Sequence, residues 1–366
     1  MTARLLTFFI LLVLLSCHSR ERKTTTTDTA PPTSDRTFSP PPAHEELIPF
    51  KANPQIADYI RNMHQDSKGG FWLGTNGRGV AYYDGDTISY HGPEKGFGGY
   101  QVTGITEDRH GSIWFATDQG VVRYSGEEKA GGEKLFESSA DTLINDKRFW
   151  SIHADGQGRI WAGSSREILV HEDGSWRPFS LPYPELGEGS FITATTAWSI
   201  TEDAQGHLWF STNGYGVYKY DGSSFAHYDK KDGLADNSVD VILAASNGDM
   251  WFGTRHGGVS WYDGERFTNY TALDSIGDNE VCALLEDATG DIWFSAEGHG
   301  VYRHQAGTDN EGPRLTNYSV DQGLGVKAVQ VIYQDAEGRL WAGGGGGLYR
   351  MDGERFRHVG VNGPWR

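Results

Sequence analysis

The sequence predicts an all-β chain, a seven-bladed β-propeller of four-stranded antiparallel blades, and three observations predict it. Tryptophan recurs at Trp72, Trp114, Trp161, Trp209, Trp251, Trp293 and Trp341, with spacings between 42 and 48 residues. Each of these follows a glycine by three residues (Gly69, Gly111, Gly158, Gly206, Gly248, Gly290, Gly338) and precedes a small residue by two (Gly74, Ala116, Gly163, Ser211, Gly253, Ser295, Gly343). Glycine supplies 49 of 366 residues beside 12 Trp, 17 Tyr and 17 Phe, well above its usual share of about 7% and without a collagen period. A period of this length made of short aromatic-rich runs between tight turns is the mark of a propeller blade, and no copy holds a helical period that competes.

Within a copy the elements follow in order. A first strand such as Val102 to Glu107 leads into an Asp-x-x-Gly turn, and a second runs Ile113-Trp114-Phe115-Ala116. Aspartate precedes the tryptophan by six residues in six copies (Asp66, Asp108, Asp155, Asp203, Asp287, Asp335), with Ala245 as the exception. Its side chain suits turn capping, while the glycine accepts a positive φ. A third strand, as in Val217 to Tyr220, ends at Asp221-Gly222, and a fourth carries Phe225 and Tyr228. The repeat tryptophans read as core, because every blade buries both faces, and the small residues two positions later let adjacent blades approach. Cys282 reads as a plain buried thiol. Closure has two candidates, a strand at Leu47-Ile48-Pro49-Phe50 or one at Arg355-Phe356-Arg357-His358.

Ahead of the repeats, Arg4 and an apolar run from Leu5 to Leu15 have the form of a secretory signal, too short to span a bilayer comfortably. The ending Leu14-Leu15-Ser16-Cys17 resembles the bacterial lipoprotein signal, which implies cleavage before Cys17 and lipidation of its sulfur. Residues 17–45 then form a Thr- and Pro-rich tether that lacks the apolar surface to fold. The expected organisation is a signal peptide over residues 1–16, the lipidated cysteine and tether over 17–45, and the propeller over 46–366. A formal charge of -17 opposes nucleic-acid phosphates, so nucleic acid is not an expected partner. Two cysteines in unlike settings, Cys17 and Cys282, exclude a disulfide framework.

The copies resemble the two-component-regulator propeller repeat. Ile200-Thr201-Glu202-Asp203-Ala204-Gln205-Gly206-His207-Leu208-Trp209-Phe210-Ser211-Thr212 carries the likeness, with Gly258-Val259-Ser260-Trp261-Tyr262-Asp263-Gly264 and the connector Asp232-Gly233-Leu234-Ala235-Asp236-Asn237. In that family such repeats commonly form the periplasmic half of sensor kinases that detect glycan fragments. The resemblance implies a ligand- or partner-binding propeller; no kinase or DNA-binding segment follows Trp365 in this sequence. Streptogramin lyases are also similar, as seven-bladed propellers that place histidines and a carboxylate near magnesium. That second likeness implies His256 and His299, in corresponding loops of neighbouring copies, as the residues a metal-dependent lyase or hydrolase would use. The other copies place Arg78, Gln119, Glu167 and Tyr215 in those loops, which is how ordinary variation in a turn looks. The repeat aspartates lack the spacing of a sialidase Asp box, and Gly343 to Gly347 lack the Lys and Ser or Thr of a phosphate loop.

A propeller gathers its second-to-third-strand loops and the connectors into the next blade on one face, where ligands usually sit over the channel. Those segments supply Tyr59, Arg61, Arg78, Tyr100, Arg148, Trp150, Trp198, Tyr215, Arg255, His256, Glu280, His299 and Lys327. Aromatic faces beside directional polar groups suit sugar rings. Trp150 and Trp198 are the most telling, since other copies place Thr103, Asp240 and Gln330 at that position. The expectation is a monomeric, lipid-anchored propeller facing the periplasm or the cell surface. It binds a glycan or an envelope protein and uses no catalytic residue, metal or cofactor; a scaffold role and the metal-dependent enzyme are the alternatives.

Overall fold

The computed structural model describes residues 54–128, 134–139, 141, 143–145, 147–183, 197–271, 276, 280–307, 312–326 and 328–365. The signal peptide, Cys17, the tether and Leu47 to Phe50 lie outside the described residues. Seven four-stranded antiparallel sheets follow one another along the chain, each formed by consecutive strands. Blades 1 to 7 span residues 60–91, 102–138, 149–179, 200–228, 239–270, 284–318 and 329–359. Among the described residues the only helical turns are the 3₁₀ segments Pro93–Lys95 and Val320–Gln322.

The core sits in the wedges between blades. Every second strand, from Phe71–Thr75 to Leu340–Gly344, is buried along its whole length, as a strand covered on both faces must be. Seven apolar clusters result, one per blade-to-blade interface; Trp72, Val80, Val102 and Phe115, for example, fill the wedge between blades 1 and 2. The glycine two residues after Trp72, Trp161 and Trp251 faces the neighbouring blade's backbone. A Cβ on Gly163 would stand 2.3 Å from the Ala197 carbonyl oxygen, and one on Gly253 would stand 2.7 Å from that of Val281.

The repeat aspartate does more than cap its turn. Asp155 accepts the backbone N–H groups of Gln157 (3.0 Å) and Arg159 (2.8 Å) with one oxygen, and with the other the Arg159 Nε–H (2.6 Å) and the Trp161 indole N–H (2.8 Å). All six repeat aspartates accept the indole N–H six residues on, at 2.7 to 2.9 Å. Burial pushes the Asp155 carboxyl up, but the bonds from Trp161 and Arg159 outweigh it and hold it below the usual aspartate value. A carboxyl depressed in the fold stabilises above its unfolded pKa of about 3.9, and that share is lost as pH falls through the folded value. Asp155→Ala is therefore expected to cost about 2–3 kcal/mol by orphaning a buried indole N–H and a guanidinium. The check is denaturant unfolding at pH 7 and pH 3, with the variant's deficit smaller at pH 3.

Arg355 to His358 do not splice the ring shut, and the other candidate, Leu47 to Phe50, lies outside the described residues. Arg355–Val359 is the ordinary fourth strand of blade 7, pairing with Gly347–Asp352 of its own blade. Blade 1 likewise supplies all four of its strands, because Ile88–His91 pairs with Val80–Tyr83. Among the described residues the ring closes by face packing and by the segments that flank the first and last blades. Gln55 bridges to Gly360, Val361 N–H donates to the Pro54 carbonyl (2.9 Å), and Trp365 stacks on Tyr83 of blade 1 at 4.1 Å between ring centroids.

Candidate functional site

Each first strand is preceded or opened by a residue that is almost wholly buried: Ile60, Val102, Phe149, Ala197, Val239, Val281 and Val329. The residue after each lines a cavity of about 430 Å³ over the central channel, so that Arg61, Thr103, Trp150, Trp198, Asp240, Cys282 and Gln330 form a ring, one from each blade. In blades 1, 2, 3, 5 and 7 this residue is the β-bulge of the first strand, skipped in the pairing with the second. A bulge turns one side chain off the sheet's alternation, which is how a strand otherwise committed to the core presents one residue to the channel.

The ring is unevenly furnished. Trp150 and Trp198 face each other with ring centroids 4.4 Å apart at 36°. The Arg148 guanidinium lies 5.2 Å from the Trp150 ring centre and that of Arg255 lies 5.0 Å from Trp198, so two cations flank the aromatic pair. Arg255 forks onto Asp240, with Nη2 to Oδ1 at 2.7 Å and Nε to Oδ2 at 3.3 Å. Burial pushes the Asp240 carboxyl up and Arg255 pulls it back only in part. Among the described residues the Trp150 and Trp198 indole N–H groups and the Arg61 Nε–H are buried without a hydrogen-bond partner. Three buried donors without partners thus sit on residues that line one cavity, and buried donors of this kind call for an acceptor.

Next along the ring from Trp198 stand Asp240, Glu280 and Cys282, whose oxygen and sulfur atoms lie within 4.8 Å of one another. Burial, reinforced by Asp240 and Glu280, pushes the Cys282 thiol up to about 12. That thiol therefore stays protonated at neutral pH and is a poor nucleophile and a poor ligand. Cys282 is half-buried at the channel, not enclosed in the core as its sequence context suggests, because it occupies the ring position.

Of the residues singled out in the sequence, Arg61, Trp150, Trp198, Arg255 and Glu280 line the cavity, with Arg148 against its aromatic pair. Tyr59 sits beside it under the Arg61 guanidinium, 5.4 Å from the ring centre. Arg78 is exposed, and the Tyr100 carbonyl receives the N–H groups of Gly77 and Gly79. Tyr215 belongs to a separate outer groove with Tyr183, Tyr218 and His227. His256 and His299 are exposed on their loops, and neither joins the carboxylates and thiol at the channel in a set of converging ligand atoms. Lys327 lies outside the described residues. Asp240, Cys282, Thr103 and Gln330 escaped selection as site residues, although their shared position directly after a buried residue marked them.

Fold and site together define a propeller with a furnished channel mouth. Four stretches, residues 54–77, 96–119, 192–214 and 233–256, match the two component regulator propeller family. Among solved structures, the chain is similar to the extracellular domain of a hybrid two component system from B. thetaiotaomicron, at 19% identity and a TM-score of 0.64 over 80% of this chain and 39% of that one. The chain thus spans about two fifths of that relative's length. It is similar as well to virginiamycin B lyase from Staphylococcus aureus with quinupristin (17% identity, TM-score 0.62, 81% of this chain and 96% of that one). A streptogramin B lyase structure matches at 15% identity and a TM-score of 0.61, over 81% of this chain and 94% of that one. At these identities the likenesses show the propeller fold. No curated protein sequence matches the chain.

Proposed function

We propose that the protein is a lipid-anchored extracytoplasmic propeller that binds a glycan at the channel mouth and has no catalytic role. The observation that carries it is the Trp150–Trp198 pair, which is flanked by two guanidiniums, lines a cavity of about 430 Å³ and carries two buried indole N–H groups without partners among the described residues. Sugar C–H faces pack on aromatic faces, and sugar oxygens accept from donors of this kind. Family membership of the repeats and the extracellular setting of the B. thetaiotaomicron domain support a sensing or capture role outside the cytoplasm. The Cys17 anchor rests on the signal-like leader, and Cys17→Ala is expected to release the chain from the membrane fraction. A metal-dependent lyase draws support only from fold likeness, since His256 and His299 are exposed and join no set of converging ligand atoms among the described residues.

Thermal unfolding of the purified protein against oligosaccharide fragments, calcium, magnesium and a chelator tests this. A glycan at 100 times its dissociation constant adds about 2.7 kcal/mol. A rise with one glycan class is the expected result; no rise with any glycan and a fall with chelator would shift the case to the metal-dependent enzyme.

A further inference from the structure

Blade 5 departs from the other six in a correlated way. In blades 1 to 4, 6 and 7 the repeat tryptophan carries a cation over its ring at 5.0 to 5.8 Å: Lys134 on Trp72, Arg123 on Trp114, Arg159 on Trp161, Lys219 on Trp209, Arg303 on Trp293 and Arg339 on Trp341. In those same blades the repeat aspartate accepts the indole N–H. Trp251 has neither. Ala245 stands where the aspartate would be, and the cross-strand position that holds Lys219 opposite Trp209 holds Trp261 opposite Trp251.

Beside Trp251, between blades 5 and 6, is a cavity of about 250 Å³ lined by Trp251, Trp261, Tyr270, His304, Asp249 and Glu286 among others, with the His304 ring edge-on to Trp251 at 5.0 Å and within 3.0 Å of the Tyr270 hydroxyl. Trp251 lies nearly parallel to Trp261 (13°, centroids 5.8 Å apart) and to Tyr270 (8°, 6.2 Å), which makes an aromatic shelf. Asp249 accepts the Trp261 indole N–H at 2.8 Å, and Glu286 accepts Ser246 N–H at 2.7 Å and its hydroxyl at 2.6 Å. Among the described residues Arg303 pairs with Asp291, and no ion pair includes Asp249 or Glu286. Aromatic faces with two carboxylates that lack a cation form the surroundings an ammonium or guanidinium group prefers, and a net charge of -17 favours its approach.

We propose that this blade 5 cavity is a binding site for an organic cation, an ammonium or guanidinium group held beside the one repeat tryptophan that, among the described residues, carries no protein cation over its ring. The site is distinct from the channel mouth and stands whether or not the channel takes a glycan. Its test is titration of the whole protein with choline and with the neutral isostere 3,3-dimethyl-1-butanol. The readout is the indole ¹H–¹⁵N signals of Trp251 and Trp261, assigned through Trp251→Phe and Trp261→Phe. Choline is expected to move both signals with an affinity about tenfold above that of the isostere, the order a partly desolvated cation–π contact supplies. Asp249→Asn should weaken choline several-fold and leave the isostere unchanged. Ala245→Asp combined with Trp261→Lys rebuilds the pattern of blade 4 and should abolish the Trp251 response while the melting temperature holds. A trilysine peptide run beside choline separates the sources: tighter binding of the peptide at the same signals assigns the cation to a protein side chain, and tighter choline assigns it to a small amine. Equal affinity for choline and the isostere, movement confined to other tryptophans, or no movement with either compound would overturn the proposal. These comparisons on the unaltered protein decide the matter even if the rebuilt variant fails to fold.

Discussion

Trp150→Ala together with Trp198→Ala is expected to weaken glycan binding a hundredfold or more. Both rings line the cavity, each carries an indole N–H without a partner among the described residues, and their centroids are 4.4 Å apart, so the double change removes both stacking surface and donors. Aromatic anchors of this kind are each worth about 2 kcal/mol at binding hot spots, and every 1.4 kcal/mol is tenfold in affinity. Trp150→Phe with Trp198→Phe separates the contributions, since it keeps faces and loses donors; an intermediate loss is expected. Stability should change little, because both side chains are only part-buried at the channel and no hydrogen bond depends on them. His256→Ala, on an exposed loop, should leave affinity unchanged, whereas an enzyme that works through that histidine would lose turnover. The measurement is calorimetric titration with whichever fragment raises the unfolding temperature.

Trp365→Ala is expected to destabilise the fold by about 3–5 kcal/mol, the usual range for truncating a buried tryptophan. The residue is 6% exposed and stacks on Tyr83 at 14°, with Trp341 of blade 7 at 6.0 Å between centroids. It thus bridges the last blade to the first. Many closed rings share a blade between the two chain ends; this one has seven self-contained blades, so the seam relies on side-chain packing and on a few backbone contacts near Pro54, Gln55, Gly360 and Val361. Denaturant unfolding with tryptophan fluorescence reads the loss. A change below about 1 kcal/mol would mean that face packing of blades 1 and 7 alone holds the seam.

Blade number, strand order and the packing role of Trp72 through Trp341 were legible because a period-bound tryptophan and its glycine sit at fixed spacing, and that spacing is set by the hairpin itself. The aspartate was legible as a turn residue. Its bond to the indole was not, because only the antiparallel pairing of first and second strands carries the side chain at position 155 back over Trp161. Closure was illegible for a related reason: strand-like runs stood at both ends, and pairing, not composition, shows that Arg355–Val359 stays within its own blade. In the site, Trp150 and Trp198 stood out as large aromatics where other copies hold polar residues. Cys282 did not, since a thiol after Val281 in a strand reads as core until the ring position turns it to the channel. Tyr215, His256 and His299 occupy loop positions like that of Arg255, yet the cavity lining includes Arg255 and none of the three, and sequence spacing does not record direction.

The most direct test of channel-mouth recognition is an indole ¹H–¹⁵N spectrum of the protein, titrated with the oligosaccharide that raises its unfolding temperature. Trp150 and Trp198 have unpartnered N–H groups in the absence of ligand, so their two signals should shift downfield as they gain acceptors, and they should saturate together with the heat of binding. Tight binding that leaves those two signals in place while others move would contradict the account.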